Sequence, residues 1–204
     1  MARTPPVAAL RSGGMDKTIK RDPATMEYFT RFQSPIGVMI LTGDGESVTG
    51  LWIDRQKYRG AARAGLEEPP DLPAFKAARE WLDGYFAGKK PPPSEVPLNP
   101  EGKSRFQKTV WEILLEIPYG KLSTYGKIAR ECAGRLGAER MSAQAVGQAV
   151  GNNPISIIIP CHRVVGSDGN LTGYAGGLDI KMRLLEFEGI DMTKLFLPKK
   201  RKNR

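Results

Sequence analysis

Between Lys89 and Pro100 the chain reads Lys-Lys-Pro-Pro-Pro-Ser-Glu-Val-Pro-Leu-Asn-Pro, and no regular element can run through it. Proline lacks the N–H that a helix interior or central strand requires, and its ring collides with the preceding turn. Residues 91–100 therefore mark a linker between two units of different pattern. Before it, Tyr28–Gln33, Val38–Thr42 and Val48–Ile53 are short β-prone runs, with Gly43-Asp44-Gly45 as turn chemistry between the last two. A helix is predicted from Pro73, with Phe75, Ala78, Leu82 and Tyr85 on its apolar face, Trp81 beside them and Gly88 as the stop.

After the linker the pattern is helical. Ser104–Ile117 sets Phe106, Val110, Trp111, Leu114 and Ile117 on one side and ends at Pro118-Tyr119-Gly120. Ser123 is predicted to cap a second helix with Tyr125, Ile128, Ala129 and Cys132 inward, and Ser142 a third over Ala143–Val150. Two short capped helices in succession suggest a helix-turn-helix. Ile155–Ile159 is a short buried run, broken by an extended Pro160-Cys161-His162-Arg163, and a last helix is predicted over Leu178–Glu188 with Leu178, Met182 and Leu185 inward. The expected layout is a flexible arm (1–25), an α/β domain (26–90), the linker, a second domain (101–190) and a basic tail (191–204).

At 204 residues the chain is long enough to bury a real core, and no apolar run approaches the ~18 residues of a membrane span. Val7–Leu10 is too short for a signal peptide, and two cysteines without an export signal point to a reducing compartment and no disulfide framework. The net charge of +9 divides into +3 in residues 1–25, +6 in residues 194–204 and none between. A basic tail suits a polyanion but equally a solvated end, so charge alone does not establish DNA binding. More telling is the excess of five Lys/Arg over two Glu between Lys121 and Asn153.

His162 is the sole histidine and stands beside one of only two cysteines. Cys161 could be merely a small buried hydrophobe. Against that, Pro160 restricts the backbone, the isoleucine run anchors it, and Gly166, Gly169, Gly173, Gly176 and Gly177 follow, a density suited to a loop closing around a small ligand. A thiolate nucleophile needs a nearby base. Neighbours in an extended segment point to opposite faces, so a direct Cys161–His162 pair is awkward and a water-relayed proton path remains. Cys132, Cys161 and His162 lack zinc-site spacing, so no metal is expected.

Ile159-Pro160-Cys161-His162-Arg163-Val164-Val165-Gly166 with Gly173-Tyr174-Ala175-Gly176-Gly177 resembles the active-site signature of the O6-alkylguanine-DNA alkyltransferases. Pro118-Tyr119-Gly120, Ser123-Thr124-Tyr125, Ala145-Val146-Gly147, Asn153-Pro154, Ser34-Pro35-Ile36-Gly37 and Gly50-Leu51-Trp52 resemble the same family, so the likeness covers about residues 26–190. The resemblance implies an α+β fold: a ribonuclease-H-like α/β domain, then a mainly helical, winged-helix-like domain whose helix-turn-helix enters the minor groove of double-stranded DNA and flips the damaged base. It also implies direct repair of O6-alkylguanine, and of O4-alkylthymine, by a monomer needing no cofactor, membrane or obligate protein partner.

Carried over residue by residue, Cys161 is the nucleophile, His162 the base acting through water, Glu188 the residue orienting it, Asn153 the brace of the turn and Tyr125 a donor to the guanine ring. Val164, Tyr174, Ala175 and Gly176 would hold the base; Ser123, Thr124, Gln144, Ala145, Gly147, Gln148, Gly151 and Arg163 would face DNA. The small residues of the Ala143–Gly151 segment suit close approach, because a full helix is ~10–12 Å wide and the minor groove ~6 Å. Gln144 stands where many relatives carry an intercalating arginine, and Ala175 where some carry a hydroxyl. The product would be a thioether on Cys161, which has no carbonyl for water to attack, so each molecule would act once. A lesion-binding relative and a cysteine hydrolase on another fold are the competing readings.

Overall fold

The computed structural model describes residues 28–53, 72–100 and 104–198; the expected N-terminal arm and the last six residues of the tail lie outside these. Strands β1 (Tyr28–Ser34), β2 (Gly37–Gly43) and β3 (Val48–Ile53) form an antiparallel meander in sequential order. The first hairpin closes because the Ser34 hydroxyl donates to the Gly37 carbonyl at 2.6 Å, while Gly37 takes a φ of 120° that a side chain would disfavour. At the second, the Asp44 carboxylate accepts from the backbone N–H of Glu46 and Ser47 at 3.0 and 2.7 Å. Helix α1 (Pro73–Phe86) packs on this sheet and buries Phe75, Ala78, Trp81, Leu82 and Tyr85, as its periodicity predicts.

The proline segment is not a free tether. The Val48 N–H donates to the Pro97 carbonyl at 2.8 Å and the Asn99 N–H to the Val48 carbonyl at 2.9 Å, so residues 97–99 dock beside β3 with Val96 buried beneath. Proline is tolerated there because a bridge at the sheet edge needs only some of the backbone donors.

In the second unit α2 (Arg105–Leu115), α3 (Tyr125–Leu136) and α4 (Ala143–Gly151) pack on one another, followed by α5 (Leu178–Phe187). Ser104 and Ser142 cap α2 and α4 through their hydroxyls. The cap of α3 is Thr124, accepting from Lys127 N–H at 3.2 Å, and not Ser123 as predicted. Ser123 is held one residue earlier in a parallel two-residue ladder, β4 (Ser123–Thr124) against β5 (Val164–Val165), which no sequence pattern marks. Inward on α5 are Ile180, Lys181, Leu184 and Leu185, while Leu178 and Met182 are only half-buried.

One hydrophobic core runs through both units. The Leu51 N–H of β3 donates to the Pro154 carbonyl, and the Leu51 carbonyl accepts from Ser156 N–H, both at 2.9 Å. The isoleucine run thus leaves the sheet edge of the first unit and delivers the chain to Cys161. The start of the expected tail is docked too, with Leu171 N–H donating to the Phe196 carbonyl at 2.8 Å. Among the described residues no helix is long and apolar enough to cross a membrane.

Candidate active site

Two tight turns in tandem aim Cys161. Ile158 N–H closes on the Ser156 carbonyl at 2.9 Å around Ile157, whose φ of 70° is a strained conformation for a β-branched residue. Cys161 N–H then closes on the Ile159 carbonyl at 2.8 Å around Pro160, whose ring favours that φ. Asn153 holds both turns: its Oδ1 accepts from Ile155 N–H at 3.0 Å, and its Nδ2 reaches the Ile155 and Ile159 carbonyls at 3.2 and 2.9 Å and the Cys161 Sγ at 3.1 Å. Cys161–Arg163 form a one-turn 3-10 helix instead of the extended segment expected, because the turns reverse the chain before it can extend. Cys161 is 7% exposed; burial pushes its thiol up, opposed by the Asn153 hydrogen bond and the nearby Lys181 charge.

His162 is fully buried, and its Nε2 lies 2.7 Å from Glu188 Oε1. Burial penalises the Glu188 charge, but hydrogen bonds from His162 and Arg163 and their charges outweigh it and hold the carboxyl at about 2. An ionised carboxylate only accepts, so Nε2 carries the proton and Nδ1 presents its lone pair. Nδ1 is buried and makes no hydrogen bond to any described residue. Burial also lowers the His162 pKa despite Glu188, so the imidazole is neutral near pH 7. This leaves a buried neutral base next after Cys161 in the chain, anchored through Nε2 at the C-terminal end of α5 and with its accepting nitrogen meeting no described residue.

Arg163 does not reach the surface expected to face DNA. It is buried, donating from Nε and Nη2 to the two Glu188 oxygens at 2.8 and 2.9 Å and from Nη1 to the Ile117 carbonyl at 2.6 Å. A bidentate pair of this kind fixes the carboxylate plane and through it the imidazole. The β4–β5 ladder ties the start of α3 to the strand leaving the 3-10 turn, which sets Tyr125 close enough for the Cys161 charge to act on it. The Tyr125 hydroxyl accepts from Thr172 at 2.9 Å, and burial raises its pKa, so its own proton stays on and free to be donated.

Tyr174 is half-buried with its hydroxyl inside, beside Ser156; Ala175 is exposed and Gly176 buried on the same glycine-rich loop. On α4, Gln144, Gln148 and Gly151 are exposed, Ala145 and Gly147 half-buried, and a methyl group added at Gly147 would sit 3.7 Å from the Tyr125 ring. Ser123 is buried and Thr124 half-buried at the start of α3.

Three residues of the site carry no functional signal in the sequence: Lys181, Thr172 and Tyr85. Lys181 is fully buried, with Nζ donating to the Val164 carbonyl at 2.6 Å and the Thr172 carbonyl at 3.3 Å, and burial lowers its pKa to about 8. Its spacing from Leu178 and Leu185, three and four residues, places it on the apolar face of α5 and is the one hint of its burial. No local pattern marks a polar role for Thr172 or Tyr85, because their polar partners are distant in the chain.

Two family models match: "6-O-methylguanine DNA methyltransferase, ribonuclease-like domain" over residues 27–100 and "6-O-methylguanine DNA methyltransferase, DNA binding domain" over residues 105–190. A methylated-DNA–protein-cysteine methyltransferase of Haemophilus influenzae is 43% identical over 166 residues, covering 81% of this chain and 88% of the relative. One of the same name from Methanosarcina acetivorans is 44% identical over 162 residues, covering 79% of this chain and 98% of the relative. Among solved structures, Mycobacterium tuberculosis OGT in complex with DNA superposes with a TM-score of 0.66 at 42% identity, covering 79% of this chain and 92% of that one. With both domains matched across most of its length, this chain belongs to the 6-O-methylguanine DNA methyltransferase family.

Proposed function

We propose that this protein is a DNA-repair methyltransferase that moves the alkyl group from O6 of guanine in duplex DNA onto Cys161, once per molecule. The observation that carries the reading is the arrangement at the turn. A buried thiol held by Asn153 is followed directly in the chain by a neutral histidine whose proton is fixed on the nitrogen facing Glu188 and whose other nitrogen meets no described residue. In the reaction the thiol proton passes through a water to His162 Nδ1, and the sulfur attacks the sp3 alkyl carbon. The S–C bond forms as the C–O6 bond breaks, and the electron pair passes into the guanine ring. Tyr125 donates a hydrogen bond there, and the proton taken from the thiol ends on the guanine. A thioether has no route back to the thiol, which accounts for the single turnover.

The flipped base would stack on Tyr174 and be held by the Val164 carbonyl and the Ala175–Gly176 backbone, with α4 in the minor groove and Gln144 assisting extrusion. Flipping a base costs a few kcal/mol, which these contacts offset. O4-alkylthymine is the second substrate proposed. A monomer acting on nucleoid DNA is proposed as well, in a reducing cytoplasm that suits the two unpaired thiols, Cys132 and Cys161.

The test is a duplex carrying radiolabelled O6-methylguanine, offered to the parent protein and to Cys161→Ala and Cys132→Ala variants. The parent and Cys132→Ala should take up label in a one-to-one ratio, and Cys161→Ala none. Label that stays on DNA would favour a lesion binder, and label released to water a hydrolase.

A further inference from the structure

Glu188 is held by more than its catalytic neighbours. Besides His162 Nε2 and the Arg163 fork, its Oε2 takes the Gly120 N–H at 3.2 Å, and its Oε1 takes the Tyr85 hydroxyl at 2.8 Å. Tyr85 belongs to α1, 103 residues away and on the far side of the proline segment. Its ring is fixed by stacking on Trp81 at 5.4 Å and by edge or tilted contacts to Phe86, Tyr119 and Phe187. The hydroxyl therefore comes from the first domain, and its ring is held by aromatic residues of both domains.

We infer that Tyr85 is a positioning residue of the transfer reaction: through its hydrogen bond to Oε1, the first domain sets how much charge Glu188 offers to His162, and so how firmly the imidazole holds a proton. The inference rests on the proposed role of His162 as base. Tyr85 and His162 Nε2 share one oxygen, and a carboxylate oxygen relieved of one donor binds the remaining donors more strongly. Removing the hydroxyl concentrates charge on Oε1, shortens the Nε2–H···Oε1 bond and favours the imidazolium. The other groups facing this pair stay in place. They are Arg163 on the 3-10 turn, Lys181 on α5, and Tyr119 with the Gly120 N–H on the loop after α2. Tyr119 donates to the Phe187 carbonyl at 3.2 Å and does not replace Tyr85.

Tyr85→Phe removes one oxygen and leaves the aromatic stack. Because His162 is the only histidine in the chain, 15N-histidine labelling reads it without assignment. In the full-length variant the Nε2–H proton resonance should move downfield at neutral pH and the imidazole midpoint should rise. Methyl transfer to the protein should slow by about threefold on the acid limb, as expected for losing part of one hydrogen bond to a charged group, and be equal or faster on the plateau. That crossing separates a tuned base from a damaged fold, which slows transfer at every pH.

An unchanged Nε2–H resonance and midpoint in Tyr85→Phe would overturn the inference, and so would an acid limb that does not follow the midpoint. If the parent itself transfers no methyl group, the functional reading falls, while the resonance still decides whether Tyr85 acts on His162.

Discussion

Asn153 shows how much one side chain can determine at this site. Its amide oxygen and nitrogen together reach four groups, three of them backbone atoms of the tandem turns and the fourth the Cys161 sulfur. In Asn153→Ala the buried Ile155 N–H loses its partner, while the Ile159 carbonyl keeps the Cys161 N–H. A buried polar group left unmet costs about 1–3 kcal/mol, and the variant should be less stable by that amount in denaturant melts. The sulfur also loses its donor, and the Cys161 thiol should titrate at a higher pH than in the parent, followed by its reaction with an alkylating probe in a Cys132→Ala background. A thiol that titrates unchanged would mean that the amide holds the turn and does nothing for the nucleophile. Cys161 and His162 are legible in the sequence because a long motif surrounds them, and Asn153 through the short Asn153-Pro154 match upstream. Arg163 is not, and the reason is physical: a cation beside a nucleophile reads equally as a phosphate contact or as the partner of a buried acid. Only the position of Glu188, 25 residues on, decides between them and takes Arg163 away from the DNA surface.

At the level of elements, hydrophobic spacing carries most of the fold. Five helices and three strands fall where periodicity, proline and glycine put them, although α5 turns Ile180, Lys181 and Leu184 inward with Leu185 and leaves Leu178 and Met182 half-buried. What periodicity cannot show are contacts of two residues or fewer: the β4–β5 ladder and the bridges that dock residues 97–99 and 154–156 on β3. Those short pairings aim the site, and the shift of the α3 cap from Ser123 to Thr124 follows from one of them. Helix α4 is the element whose exposed face is open to experiment. Gln144 is exposed in its first turn, while the Ser142 cap acts on backbone N–H groups and is indifferent to the side chain at 144. Gln144→Ala should therefore fold normally, alanine being the better helix former. In duplex DNA it should slow repair about tenfold, equal to ~1.4 kcal/mol of barrier, because less fills the gap left by the extruded base. The free alkylated base needs no extrusion and should react at the parent's rate. A duplex-to-free-base ratio equal to the parent's would assign extrusion to another residue.

Across the whole molecule, α1, the loop after α2, the 3-10 turn and the end of α5 converge on one buried carboxylate, so acid should weaken the protein as a whole. Glu188 is held at about 2 in the folded chain, below its ordinary value of 4.5. A depressed carboxylate stabilises the fold above its unfolded value, and that contribution is lost as the pH falls from about 4.5 towards 2. His162 acts in the same direction. Buried and neutral, it titrates below its ordinary 6.5 when folded, so the unfolded chain takes up a proton first as the pH drops through that value. Unfolding should thus take up protons as the pH falls below about 6.5 on account of His162, and again below about 4.5 on account of Glu188. In His162→Gln/Glu188→Gln both uptakes disappear, whereas every other carboxylate is common to the two proteins. Each pH unit between the folded and unfolded titrations of a group is equivalent to about 1.4 kcal/mol. The parent's stability relative to this double variant should therefore fall by about 3 kcal/mol or more between pH 6.5 and pH 2.5. Equilibrium denaturation across that range measures it directly. Parallel stability curves for the two proteins would show that the buried His162–Glu188–Arg163 cluster is not what couples the two domains to pH.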